Sequence, residues 1–150
     1  MEKDHYIGVD ISKRTIDIAI YVKSQAKKGT FPHETFSNTE EGFKDMKRWL
    51  RKQGVVLSKS LFCMEATGNY TYELCLFLEQ IGVAYSIQSP LHLKRSFGLT
   101  HGKNDRVDAS RIAYYAYLHR EDIKLSKLAS GSVRKLKSLI AERKSLVVEI

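Results

Sequence analysis

The sequence predicts an α/β fold built on a mixed sheet with flanking helices. Three features carry this reading: two apolar runs of period two at the N-terminus joined by a short link, a following alternation of helical and strand-like segments, and a length of 150 residues, which suits one domain.

The elements follow in order. Residues 5–11, HYIGVDI, and residues 15–22, TIDIAIYV, read as strands, and Ser12-Lys13-Arg14 is short enough to make them antiparallel neighbours. A third strand is expected near residues 30–37, where Pro32 places it towards a sheet edge because proline lacks the ladder N–H. Asn38 or Thr39 caps a helix with Glu40 and Glu41 in its first turn and Phe43, Met46, Trp49 and Leu50 at helical spacing, ending near Gly54. SLFCMEA at 60–66 reads as a buried strand, and Thr67-Gly68-Asn69 then turns into a helix carrying Leu74, Leu78 and Ile81 that Gly82 closes. VAYSI at 83–87 is another strand, followed by helices from about residue 89, one of them from about Asn104 to Leu118. Strand-helix-strand units imply parallel pairing beside the opening meander. This order matches the ribonuclease H-like fold, with an extended basic amphipathic helix over residues 130–150.

Composition excludes several classes. With 43% apolar and 28% charged residues the chain is globular, not fibrous or disordered. No apolar run approaches the roughly 18 residues of a bilayer span, and MEKDHYIGVD lacks the basic start and apolar stretch of a signal peptide, so a cytoplasmic protein without a membrane partner is expected. Cys63 and Cys75 sit in apolar segments without CxxC spacing and read as buried thiols. His5, His33, His92, His101 and His119 show no metal-ligand spacing.

Charge is distributed unevenly. Residues 1–90 carry 12 Lys and Arg against 11 Asp and Glu, whereas residues 91–150 carry 13 against 6, so +7 of the net +8 lies in the last 60 residues. Such a footprint suits a polyanion. Lys94, Arg95, Lys103, Arg106 and Arg111 are the candidate phosphate contacts, weighed against a merely solvated basic face. Tyr114, Tyr115 and Tyr117 are spaced so that some must pack inward, and core packing is the better reading of them than base stacking.

Four acids stand out. Asp10 interrupts an apolar strand, where a carboxylate is costly unless paired or bound to a cation. Glu65 repeats the pattern at the C-terminal end of the fourth strand, the end where sites collect in such sheets. Asp105 and Asp108, in KNDRVDAS, are three residues apart at the expected start of a helix, which puts both on one face. Each alone has an ordinary explanation in hydrogen bonding, ion pairing or the helix dipole. If the first and fourth strands are neighbours, all four converge, and hard oxygen ligands of this kind suit Mg²⁺, with Mn²⁺ as substitute. Two such ions about 4 Å apart serve in-line displacement at a phosphodiester.

The motifs IGVDISK, MEATGNY and KNDRVDA resemble those of insertion-sequence transposases with an N-terminal RuvC-like DEDD domain, the group that includes Piv-type invertases and bridge-RNA-guided recombinases. The resemblance covers essentially the whole chain. It implies that Asp10, Glu65, Asp105 and Asp108 form the catalytic, metal-binding tetrad of a DNA transposase or site-specific recombinase, with a structured noncoding RNA as guide in the characterised relatives. It also implies a second domain bearing a serine nucleophile, and active sites assembled between subunits. On this reading residues 1–128 are the RuvC-like catalytic domain. Residues 129–150 begin a connector or dimerisation helix that stops in mid-pattern at Ile150 and self-associates into a homo-oligomer. Two rivals remain: a non-catalytic nucleic-acid-binding module of the same fold, and an actin-like or sugar-kinase ATPase fragment. The latter needs a second glycine-rich phosphate turn, and the nine glycines never cluster into one.

Overall fold

The computed structural model describes residues 3–22, 32–66, 70–90, 93 and 108–128. Strands β1 (His5–Ile11), β2 (Thr15–Val22) and β3 (His33–Ser37) form an antiparallel meander. Helix α1 (Glu40–Lys52) leads to β4 (Ser60–Glu65), and α2 (Tyr72–Gln80) to β5 (Ala84–Gln88); β4 runs parallel to both β1 and β5. The last described helix is α3 (Ala109–Leu118). The strand order β3-β2-β1-β4-β5 gives the five-stranded mixed sheet of the ribonuclease H-like fold. Pro32 precedes β3, an edge strand, as its missing N–H requires.

Local chemistry explains the element ends. Thr39 adopts an extended conformation and its hydroxyl accepts from Gly42 N, capping α1 above Glu40 and Glu41. Gly82, at φ 73°, supplies the left-handed residue that closes α2 and returns the chain to β5.

Period two assigns the two faces of the sheet. Ile7, Val9, Ile11, Ile16, Ile18, Ile20, Phe62 and Met64 pack against Phe43, Met46, Leu50, Leu74 and Leu78 of α1 and α2. On the opposite face, Tyr6, Tyr21, Leu61 and Cys63 meet Leu93 together with Ile112, Ala113, Tyr115 and Ala116 of α3. Tyr115 is buried, Tyr114 is 39% exposed, and Tyr117 stacks on Tyr21 with ring centroids 4.6 Å apart. The tyrosine cluster is therefore packing in large part, as its spacing predicts.

Helix α3 lies directly on β1. A Cβ added at Gly8 would stand 2.0 Å from the Ala109 carbonyl oxygen and 2.4 Å from Ala113 N. At its other end, Tyr117 meets Tyr6 edge-on at 5.6 Å. The helix thus runs antiparallel to β1, with its N-terminus over the C-terminal half of that strand.

The expected helix over 130–150, and with it the self-association surface and the boundary at 128, lies outside the described residues. Among those that are described, no helix is long and apolar enough to cross a membrane.

Two predictions follow from this packing. Gly8→Ala should destabilise the fold by about 1–3 kcal/mol or more, because backbone has to move, and the loss is measured by urea unfolding. Cys63 and Cys75 are free and buried, and desolvation pushes both thiols from 9.0 up to about 12. The folded state therefore holds protons that the unfolded chain releases above its own thiol pKa, so this contribution is complete below that value and is lost as pH rises towards 12. Urea unfolding should give lower stability at about pH 10 than at about pH 8, and a Cys63→Ala, Cys75→Ala double variant should show a shallower decline.

Candidate active site

The register of the sheet builds the site. From His5↔Ser60 to Val9↔Met64, β1 and β4 advance in step, so Asp10 and Glu65 are the next residues along two adjacent parallel strands. Asp10 shares its face with Tyr6 and Gly8, and Glu65 shares its face with Leu61 and Cys63; this is the α3 side of the sheet. Both acids are half-buried. The adjacency of the first and fourth strands on which convergence depended is present.

The same register continues outward. Asp10 is the cross-strand partner of Asp17 on β2, Asp17 pairs with Thr35 on β3, and Glu65 pairs with Gln88 on β5. One polar residue from each of the five strands thus lies in a single row across the α3 face. The Thr35 hydroxyl donates to Asp17 Oδ1 at 2.6 Å. Opposed residues in an antiparallel pair have Cβ atoms about 4.5–5.5 Å apart, so Asp10 and Asp17 are direct cross-strand neighbours.

Helix α3 brings the third acid to this end of the sheet. Asp108 is its N-cap, with extended backbone at φ −85° and ψ 177°, and Asp108 Oδ1 accepts from Arg111 N at 2.9 Å. This corrects the expected helix start near Asn104. The Asp108 carboxylate takes an N–H that has no intrahelical acceptor, and the helix begins at Ala109. Asp108 is therefore not the second member of an i, i+3 pair within this helix. Asp105 lies outside the described residues, as do Lys94, Arg95, Lys103 and Arg106. Arg111 is exposed in the first turn of α3. The positive end of the α3 dipole is directed to the acid end of the sheet, which favours negative charge there.

The rim at this end is tied together. Asn38 donates through Nδ2 to the Ser12 carbonyl at 2.9 Å and to the Tyr70 carbonyl at 3.1 Å, while its backbone N–H donates to the Arg14 carbonyl. The β1–β2 link that follows Asp10 and Tyr70, just ahead of α2, are thereby held by one side chain.

Asp10, Glu65 and Asp108 are thus carried to the same end of one sheet face. Among the described residues, however, no three or more His, Cys, Asp or Glu side chains form a group able to hold a metal ion. Sequence reasoning passed over Asp17 and Gln88. Asp17 was within reach, since the isoleucines of TIDIAI put it on the opposite face from the core, but its place beside Asp10 depends on the hairpin register.

Comparison with known proteins identifies relatives. A family model described as a transposase, the DEDD type of insertion sequence IS110, matches residues 7–150. The pilin gene-inverting proteins of Moraxella bovis and Moraxella lacunata are each 29% identical over 141 residues, covering 92% of this chain and 41% of their own length. The chain therefore spans about two fifths of these curated relatives. The Thermus thermophilus RuvC structure aligns at a TM-score of 0.48 and 13% identity, over 80% of this chain and 98% of that one.

The cap makes a separable prediction. Asp108→Ala should cost about 1 kcal/mol of stability, whereas Asp108→Asn, which keeps an accepting oxygen, should cost only a few tenths. Equal losses in denaturant unfolding would show that the carboxylate charge, not the cap bond, holds this end of α3.

Proposed function

Because this chain belongs to the DEDD transposase family of insertion sequence IS110, we propose that it is the catalytic domain of a DNA transposase or site-specific recombinase, acting on phosphodiester bonds through its acidic residues. One observation carries the reading: Asp10 and Glu65 stand in step on adjacent parallel strands, on the face to which α3 delivers Asp108.

The donors are carboxylate oxygens, which suit Mg²⁺ and its substitute Mn²⁺ rather than softer metals. Asp10, Glu65 and Asp108, with Asp105 three residues before the cap, would hold the cation. A cation held by these carboxylates would supply activation of an attacking oxygen and stabilisation of a leaving one in an in-line displacement. The opposition of Asp10 to Asp17 in the strand register supports this reading, since neighbouring carboxylates gain from a neutralising cation. Arg111, exposed beside the site, would take a phosphate of the strand, and Lys94, Arg95, Lys103 and Arg106 would add to the electropositive path. A structured RNA guide, and assembly of copies through residues 129–150, are further parts of the proposal.

Calorimetric titration of Mn²⁺ into the full chain tests it. The chain should bind one or two ions. Asp10→Asn and Glu65→Gln should each weaken binding at least about tenfold, and Asp10→Asn should raise metal-free stability by about 0.2–1 kcal/mol as the opposition to Asp17 is relieved. Absence of binding, or affinity unchanged by Asp10→Asn, would favour a nucleic-acid-binding module without catalysis.

A further inference from the structure

A cavity of about 550 Å³ opens beside the acidic row, lined in part by Gln88, Tyr115, His119, Asp122, Lys124 and Ser126. Its volume falls within the roughly 300–1,000 Å³ usual for small-ligand sites. Gln88 joins the two places, because it forms one wall of the cavity and is the register partner of Glu65. Adjacent strands lie about 4.8 Å apart, so the Gln88 wall of the cavity stands one strand away from Glu65.

The walls are held in place by hydrogen bonds. The Tyr115 hydroxyl donates to Gln88 Oε1 at 3.2 Å, Gln88 Nε2 donates to Ser86 Oγ at 2.8 Å, and Ser86 Oγ donates to the Lys124 carbonyl at 2.8 Å. Ser126 Oγ accepts from Ile87 N at 2.8 Å, and Ser126 N donates to the Tyr85 carbonyl. These bonds fix the segment after α3 against β5 and consume much of the polar capacity of Gln88 and Ser126. His119 is half-buried, and its ring leans on buried Tyr115 with centroids 4.3 Å apart, giving a backed flat surface. The side chains of Asp122 and Lys124 are exposed at the mouth.

This chemistry selects a class of ligand. The charges of Asp122 and Lys124 offset one another, so the cavity does not attract a phosphate. A flat ring can lie on His119, a carboxylate accepts from an amino group, and an ammonium donates to a ring nitrogen or carbonyl. Resting on the proposed action on DNA, we infer that the cavity receives an unpaired nucleobase bearing an exocyclic amino group, drawn from the strand whose phosphate lies at Asp10 and Glu65. Asp122 accepts from the amino group, His119 supports the ring, and the phosphate stays outside. Taking a base out of its stack is least costly where the strand is already unpaired.

Nucleotide titrations of the full chain, followed by chemical shifts of the His119 and Tyr115 rings, test the inference. The probes are dGMP, dCMP, dAMP, dTMP and 2-deoxyribose 5-phosphate. The three amino-bearing nucleotides should bind about tenfold more tightly than dTMP, whose ring offers only one N–H, and the sugar phosphate should leave the rings unmoved. Asp122→Ala, at an exposed position, removes the acceptor and should abolish the preference over dTMP, and His119→Ala should weaken all four nucleotides. Binding of the sugar phosphate as tight as that of dCMP, a preference unchanged in Asp122→Ala, or no ring shift at millimolar nucleotide would each overturn the inference. These titrations are made without divalent cation, so failure of the cation site, read by Mn²⁺ calorimetry, and failure of the base cavity, read by the ring shifts, are distinguished.

Discussion

The arrangement depends on the contact of the α3 backbone with Gly8. A helix whose backbone meets a strand without an intervening side chain sits closer than ordinary packing allows, and that closeness fixes both its height and its position along β1. The direction of α3 is set by the second contact, Tyr117 on Tyr6. With these two points settled, Asp108 has to lie at the end of the sheet where Asp10 and Glu65 leave their strands. A larger residue at position 8 would move the acid-bearing end of the helix away from the row it serves.

The row itself is a consequence of pleating. Once β1 pairs antiparallel with β2 and parallel with β4, period two delivers Asp10, Asp17 and Glu65 to one face without any further choice. The opposite face of the same strands is filled by isoleucine, phenylalanine and methionine. The two faces are thus specialised residue by residue: one seals the core against α1 and α2, and the other holds charge where α3 begins and the apolar contact gives way to solvent.

Much of this was readable in the sequence, for identifiable reasons. TIDIAIYV and HYIGVDI alternate cleanly because each strand has two different environments, and Thr39, Pro32 and Gly82 act through backbone rules that need no tertiary context. Asp10 and Glu65 were recognisable as acids out of place in apolar strands. Asp108 was harder, because an aspartate before a helical run can be either its cap or part of its first turn, and only the extended backbone with the bond from Arg111 decides between them. Gln88 and the segment over 123–128 gave no periodic signal. That segment is neither helix nor strand, and its place along β5 rests on side-chain bonds from Ser86 and Ser126 that hydrophobic patterning does not encode.

That segment also governs what the sheet can join. A bare β5 edge would offer its backbone groups to any extended chain, but Ser126 occupies both Ile87 N and the Tyr85 carbonyl, and Leu128 N is taken by Glu79. At the other edge, β3 is five residues long, follows a proline and is largely exposed and polar. Among the described residues, neither border is built for strand addition. A polypeptide that joins this domain therefore meets helices, loops and side chains instead of extending the ladder, and the domain can work at high local concentration without polymerising through its sheet.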